Sequence, residues 1–168
     1  MENMTEARAI VAELFEYAMS QPEPDWSQLP GATTLRRDAA DEARFAAHII
    51  ATEGNLTEAW RFGILQTLDV YTSLLRAGEA NVARHVFDRE PAPTGARQID
   101  AAIAALAAHL AHRDDWQPPE WATDPRRATS AWYPGDPGPG LRAIAHTESP
   151  PEFRKRGIFI AKRDLSRA

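Results

Sequence analysis

The chain has 168 residues and a formal charge of −5, with five tryptophans, thirteen prolines and no cysteine. That length is enough for one domain with a core of its own. The lack of cysteine excludes disulfides, thiolate nucleophiles and cysteine-ligated zinc or iron–sulfur centres. The negative balance argues against whole-molecule attraction to nucleic acid.

Met1-Glu2-Asn3-Met4-Thr5-Glu6 lacks a basic leader followed by an apolar run, so no secretory signal is expected. No stretch approaches the roughly 18 apolar residues of a membrane helix. The expectation is a cytoplasmic protein without a membrane partner. The charge is unevenly spread. From residue 122 onward nine Lys/Arg face five Asp/Glu, a local balance of +4 that leaves −9 for residues 1–121.

The body follows a helical period. Ile10, Val11, Leu14, Phe15 and Ala18 make one apolar stripe, which predicts a first helix from about Thr5 to Met19. Pro22 and Pro24 end it. Thr34 can cap a second helix from Leu35 to about Glu53, whose apolar side is Ala39, Ala43, Ala46, Ala47 and Ile50, with Phe45 and Ile49 adjacent. Gly54 is a natural stop, and Asn55 with Glu58 three residues later opens a third helix. Trp60, Ile64, Leu65, Leu68, Tyr71, Leu74 and Leu75 give this third helix the widest apolar surface, so it is expected at the centre of the bundle.

A shorter helical run covers Glu79 to Phe87 and is broken by Pro91-Ala92-Pro93-Thr94-Gly95. The last body helix spans about Ala96 to His112, with Ile99, Ile103, Leu106 and Leu110 on one face. Beyond Asp115, eight prolines are interleaved with Trp116, Trp121, Trp132 and Tyr133, which predicts an ordered but irregular arm. Gly157-Ile158-Phe159-Ile160-Ala161 reads as a short strand, and 164–168 as a final turn. The expected fold is therefore all-α. Four to five helices form a bundle over 1–115, and 116–168 is a proline- and tryptophan-rich basic arm packed on the bundle or on a partner.

Signals for chemistry are sparse. His109 and His112 lie three apart and could share a helix face as metal ligands, but a site needs further donors, and histidines near a helix C-terminus are also favoured by the helix dipole. No nucleophile elbow surrounds Thr129, Ser130, Ser149 or Ser166. The prolines in Gly135-Asp136-Pro137-Gly138-Pro139-Gly140 delete donors that a phosphate loop would use, so that segment reads as a turn. Arg154-Lys155-Arg156, between Phe153 and Phe159, is the densest basic cluster and suits either a phosphate backbone or an acidic protein surface.

The run from Asp100 to Ala111, Pro118-Pro119-Glu120-Trp121, and the closing Ser149-Pro150-Pro151-Glu152-Phe153-Arg154-Lys155-Arg156-Gly157-Ile158-Phe159-Ile160 resemble the C-terminal half of uncharacterised actinobacterial proteins. Some of those look like antitoxins or regulators encoded beside toxin-type genes. The resemblance covers about the last 70 residues and brings no catalytic residue with it.

Together these readings predict a non-enzymatic protein-binding module without a cofactor or a metal. It would be antitoxin-like or regulatory, and a toxin is one candidate partner. The expected anchors are Trp116, Trp121, Trp132, Phe153, Arg154, Lys155, Arg156 and Phe159. Two alternatives stand beside it: a small metal-dependent enzyme built on the His109-x-x-His112 pair, and a nucleic-acid-binding regulator acting through the basic tail.

Overall fold

A computed structural model describes residues 37–166. The expected helix over Thr5–Met19 and the Thr34 cap lie outside the described residues. Within them the protein is all-α: helices and turns, with one isolated parallel bridge between Trp132 and Ile158.

The first described helix, α1, spans Ala39–Glu53. It starts at Ala39 rather than Leu35 because Asp38 is the cap. Asp38 accepts from the Asp41 backbone N–H at 2.9 Å, and Asp41 returns the contact to the Asp38 N–H at 3.3 Å. Arg89 grips the Asp38 carboxylate with two bonds of 2.7 Å and tethers this helix start to a distant part of the chain. Gly54, at φ +62°, closes the helix in the left-handed region.

Asn55 accepts from the N–H groups of Thr57 and Glu58 and opens a continuous helical rod from residue 56 to 76. The rod comprises α2 (Leu56–Trp60), a π-helical turn (Arg61–Leu65) and α3 (Gln66–Arg76). In the π turn the Gln66 N–H reaches back five residues to the Arg61 carbonyl, and the Thr67 hydroxyl donates to the Gly63 carbonyl at 2.5 Å. One residue inserted into a helical turn rotates the face of the downstream helix by roughly 100° relative to the upstream one. Gly63 is what allows the turn to sit on α1, since a Cβ there would lie 3.1 Å from the Ala46 Cβ.

The predicted run over Glu79–Phe87 forms a short α4 (Ala80–Ala83) and a tight 3-10 turn (Arg84–Phe87). Helix α5, Arg97–Arg113, comes next. This helix, and not the Trp60–Leu75 rod, is the centre of the fold. Ile99, every residue from Ala101 to Ala107, Leu110 and Ala111 are all buried to 1% exposure or less. Apolar width predicts the rod at that place, yet its Val70, Leu74 and Leu75 are only partly buried. Alanines decide the matter, because a helix with small side chains on all sides can be packed against from every direction.

The arm is more regular than its prolines suggest. It contains α6 (Glu120–Thr123), α7 (Pro139–Glu148), α8 (Pro151–Arg154) and a 3-10 turn (Lys162–Leu165). Pro139 and Pro151 sit in first turns, where the missing N–H costs nothing and the proline φ is already helical. The expected strand over 157–161 reduces to the single Trp132–Ile158 bridge. Around it the Trp132 N–H donates to the Gly157 carbonyl at 2.8 Å, and the Phe159 N–H to the Trp132 carbonyl at 2.9 Å.

Gly157, at φ +81°, brings its backbone against Thr129, and a Cβ there would overlap the Thr129 carbonyl oxygen. Gly157→Ala combines a left-handed backbone penalty with a backbone clash, so it should lower stability by about 2 kcal/mol or more in chemical denaturation. A variant as stable as the parent would show that the arm is not held as described.

Candidate interaction surface

Of the five apolar anchors expected from the sequence, Trp116, Trp121, Trp132 and Phe153 turn inward, and Phe159 stays partly exposed. Trp121 is 7% exposed and donates its indole N–H to the Phe87 carbonyl at 3.1 Å. Phe153 is fully buried, edge-on to Trp60 and His109. Trp132 meets Trp60 edge to face at 5.7 Å. Trp116 stacks on Phe87 at 5.9 Å and donates to the Tyr71 hydroxyl at 3.0 Å. Of the two destinations open to these rings, own core or partner, the fold takes the first. Each finds apolar surface left uncovered by the bundle, and the indole N–H groups of Trp116 and Trp121 find acceptors inside the chain.

The basic triplet is divided. Arg156 is half-buried and donates to the carbonyls of Asp124 (3.1 Å), Arg127 (3.0 Å) and Ala122, riveting one half of the arm to the other. Burial lowers its pKa below the ordinary arginine value. Arg154 and Lys155 are exposed. The nucleic-acid reading therefore keeps two cations of the three. Phe159 is partly exposed and stacks on His146 at 4.1 Å and on Tyr133 at 5.3 Å.

His109 and His112 do converge, on a carboxylate that spacing alone does not identify. The Glu152 oxygens, carried by α8, lie 3.2 Å from His109 Nδ1 and 3.3 Å from His112 Nδ1. The pair clasps α8 to α5. Among the described residues no group of three or more His, Asp or Glu side chains is arranged to hold a metal ion. Ser149, one of the candidate hydroxyls, is 2% exposed and donates to the Ile158 carbonyl at 3.0 Å, a structural bond across the arm.

The side chains that remain outward are the more informative set. Among the described residues four large apolar ones are well exposed: Phe45, Phe62, Leu141 and Ile144. Leu141 and Ile144, each 43% exposed, lie one helical step apart on α7, a helix that buries only Ala145. Beside them opens a groove of about 400 Å³ lined by Thr57, Trp60, Leu65, Leu141, Phe159 and Arg163. Its lining combines aromatic and aliphatic side chains with a few polar ones, a composition suited to receiving a partner's side chain. Reading 116–168 as irregular misses this pair. Gly138-Pro139 as a helix start, with apolar residues at 141, 144 and 145, is the available signal.

Neither the protein-family models, nor the curated proteins, nor the solved structures contain a match to this chain. Among the described residues no helix is long and apolar enough to cross a membrane.

The Trp116 anchorage has a pH signature. Asp114 accepts from the Tyr71 hydroxyl at 2.7 Å and from Arg113 through two bonds of 2.8 and 2.7 Å. The Arg113 bonds come first among the causes that hold its carboxyl below the usual range, while burial, and next the bond to Asp114, push the Tyr71 hydroxyl up to about 12. The unfolded chain thus takes up the Asp114 proton at a higher pH than the folded one. The stabilisation is complete above about pH 4 and is lost as pH falls through the depressed folded value. Asp114→Asn should therefore show a shallower loss of stability with acid than the parent, in denaturation midpoints taken between about pH 5 and 2. Parallel acid limbs would disprove the linkage.

Proposed function

We propose that the protein is a non-enzymatic binding module, antitoxin-like or regulatory, that engages another bacterial protein through the surface around α7. One observation carries this reading. Leu141 and Ile144 stand exposed on a helix that contributes almost nothing to its own core, and Leu141 lines a largely apolar groove. A surface helix normally turns its apolar residues inward, so this arrangement is suited to a surface that is completed by another chain.

Four further features support it. The arm that carries the groove is braced by specific bonds from Arg156, Ser149 and Glu152, which favours a preorganised surface. The groove is framed by residues of the arm and by Trp60 and Leu65 of the body. The last 70 residues resemble uncharacterised actinobacterial proteins, some of which look like antitoxins, and that fits the same class of work. Of the side chains considered for catalysis, Ser149 and the His109–His112 pair are engaged in holding the arm.

The test is co-purification of the full chain with the products of its neighbouring genes, beside a Leu141→Glu, Ile144→Glu variant. Both side chains are exposed, so the variant should melt close to the parent, within about 0.5 kcal/mol. A stoichiometric partner retained by the parent and lost by the variant is the expected result. A partner held equally by both would move the interface elsewhere, and no partner at all would remove the reading.

A further inference from the structure

A second surface, on α1 and the π turn, has a chemistry of its own. Phe45 and Phe62 are 42% and 37% exposed and meet edge to face with ring centroids 5.5 Å apart. Arg37 lies over the Phe45 ring and Arg61 over the Phe62 ring, each guanidinium carbon 5.7 Å from the centroid. Arg44 and His48 continue the outer row of α1, and with Arg37, Asp41 and Phe45 they line a shallow depression of about 570 Å³. An aromatic pair framed by three arginines thus stands on a body that is acidic overall.

The frame is built rather than incidental. Glu42 is 1% exposed, and its two oxygens lie 2.9 and 2.8 Å from Arg37, although only the Oε2 contact is aligned as a hydrogen bond. Burying that carboxylate is costly, and what it does is hold Arg37 beside Phe45. The π turn contributes equally. Phe62 lies within it, next to the glycine that packs on Ala46, so Gly63 faces α1 and Phe62 is left on the outside.

We propose that the Phe45–Phe62 patch docks an acidic amphipathic helix of a partner protein. Its apolar side chains would cover the two rings and its carboxylates would meet Arg37, Arg44 and Arg61. Charge complementarity selects the acids. Arg44 is 70% exposed and Arg37 51% exposed, so both keep donors open to solvent beyond their bonds to Asp41 and Glu42. Among the described residues Arg61 has no carboxylate at ion-pair distance. A helix is selected over an extended segment because it satisfies its own backbone, and among the described residues there is no strand edge to pair with one. Single-stranded nucleic acid is the competing occupant. It stacks bases on ring faces, and here the guanidiniums sit over those faces.

The experiment uses the full chain and two synthetic amphipathic helices that share one Leu/Phe stripe, with polar positions all Glu in one and all Lys in the other. An oligo-dT of similar length is the third probe. Affinity is read by fluorescence anisotropy, and contact by the NMR signals of the assigned phenylalanine rings. The Glu peptide should shift the Phe45 and Phe62 signals and bind about tenfold or more tightly than the Lys peptide. Arg44→Glu with Arg61→Glu should reverse that order, whereas Leu141→Glu with Ile144→Glu should leave it unchanged, which separates this surface from the groove at α7. Phe45→Ser with Phe62→Ser should abolish binding, and the charge-reversed variant decides if the serine variant does not fold. No binding of the Glu peptide, equal binding of both peptides, or oligo-dT shifting the same rings would each overturn the proposal.

Discussion

The fold depends on an alanine-rich helix that is buried on every side. From Ala101 to Ala107 nothing larger than leucine occurs, and nothing is exposed beyond 1%. Small side chains let α1, the π turn, α6 and α8 all approach α5 closely, but each alanine removes little apolar area from water, so the neighbours must supply the bulk. They do so with large rings. Trp60, Tyr71, Phe87, Trp121 and Phe153 supply the large rings of the core that α5 shares.

That division of labour explains why the arm belongs to the fold. Without α6 and α8, part of α5 would face solvent as a smooth apolar cylinder, and Trp60 and Phe87 would lose Trp132, Phe153 and Trp116 as neighbours. The arm cannot use a sheet to hold itself, so it uses side chains that bond to backbone. Arg156 satisfies carbonyls of Ala122, Asp124 and Arg127, Ser149 bridges to Ile158, and Glu152 meets both histidines of α5. These are partly buried polar contacts, where a lost partner costs more than a surface bond would give.

With the tryptophans consumed internally, the surfaces left for recognition are those that the core does not need. The Leu141–Ile144 pair on α7 differs in kind from Phe45 and Phe62: the first reaches a groove through Leu141, the second carries its own cations. The groove depends on the closing segment at 156–160, and the aromatic pair on the glycine that lets the π turn press against α1.

Local backbone chemistry and periodicity were enough to specify the all-α class, the Asn55 and Gly54 boundaries, and the 3.6-residue stripe of Ile99, Ile103, Leu106 and Leu110, all of them legible in the chain. Composition also showed that the arm's rings had to be buried, since three tryptophans between prolines are too apolar for a solvated linker. Which helix occupies the centre was not legible: apolar width favoured the Trp60–Leu75 rod, and only packing reveals that alanine on all faces is the better hub. The destination of Trp116, Trp121, Trp132 and Phe153 was likewise a tertiary matter, because a ring that can complete a core and a ring that can grip a partner are the same residue until the neighbours are known. The π turn was equally hidden, as one inserted residue leaves an apolar pattern that still reads as helix while turning Phe62 outward.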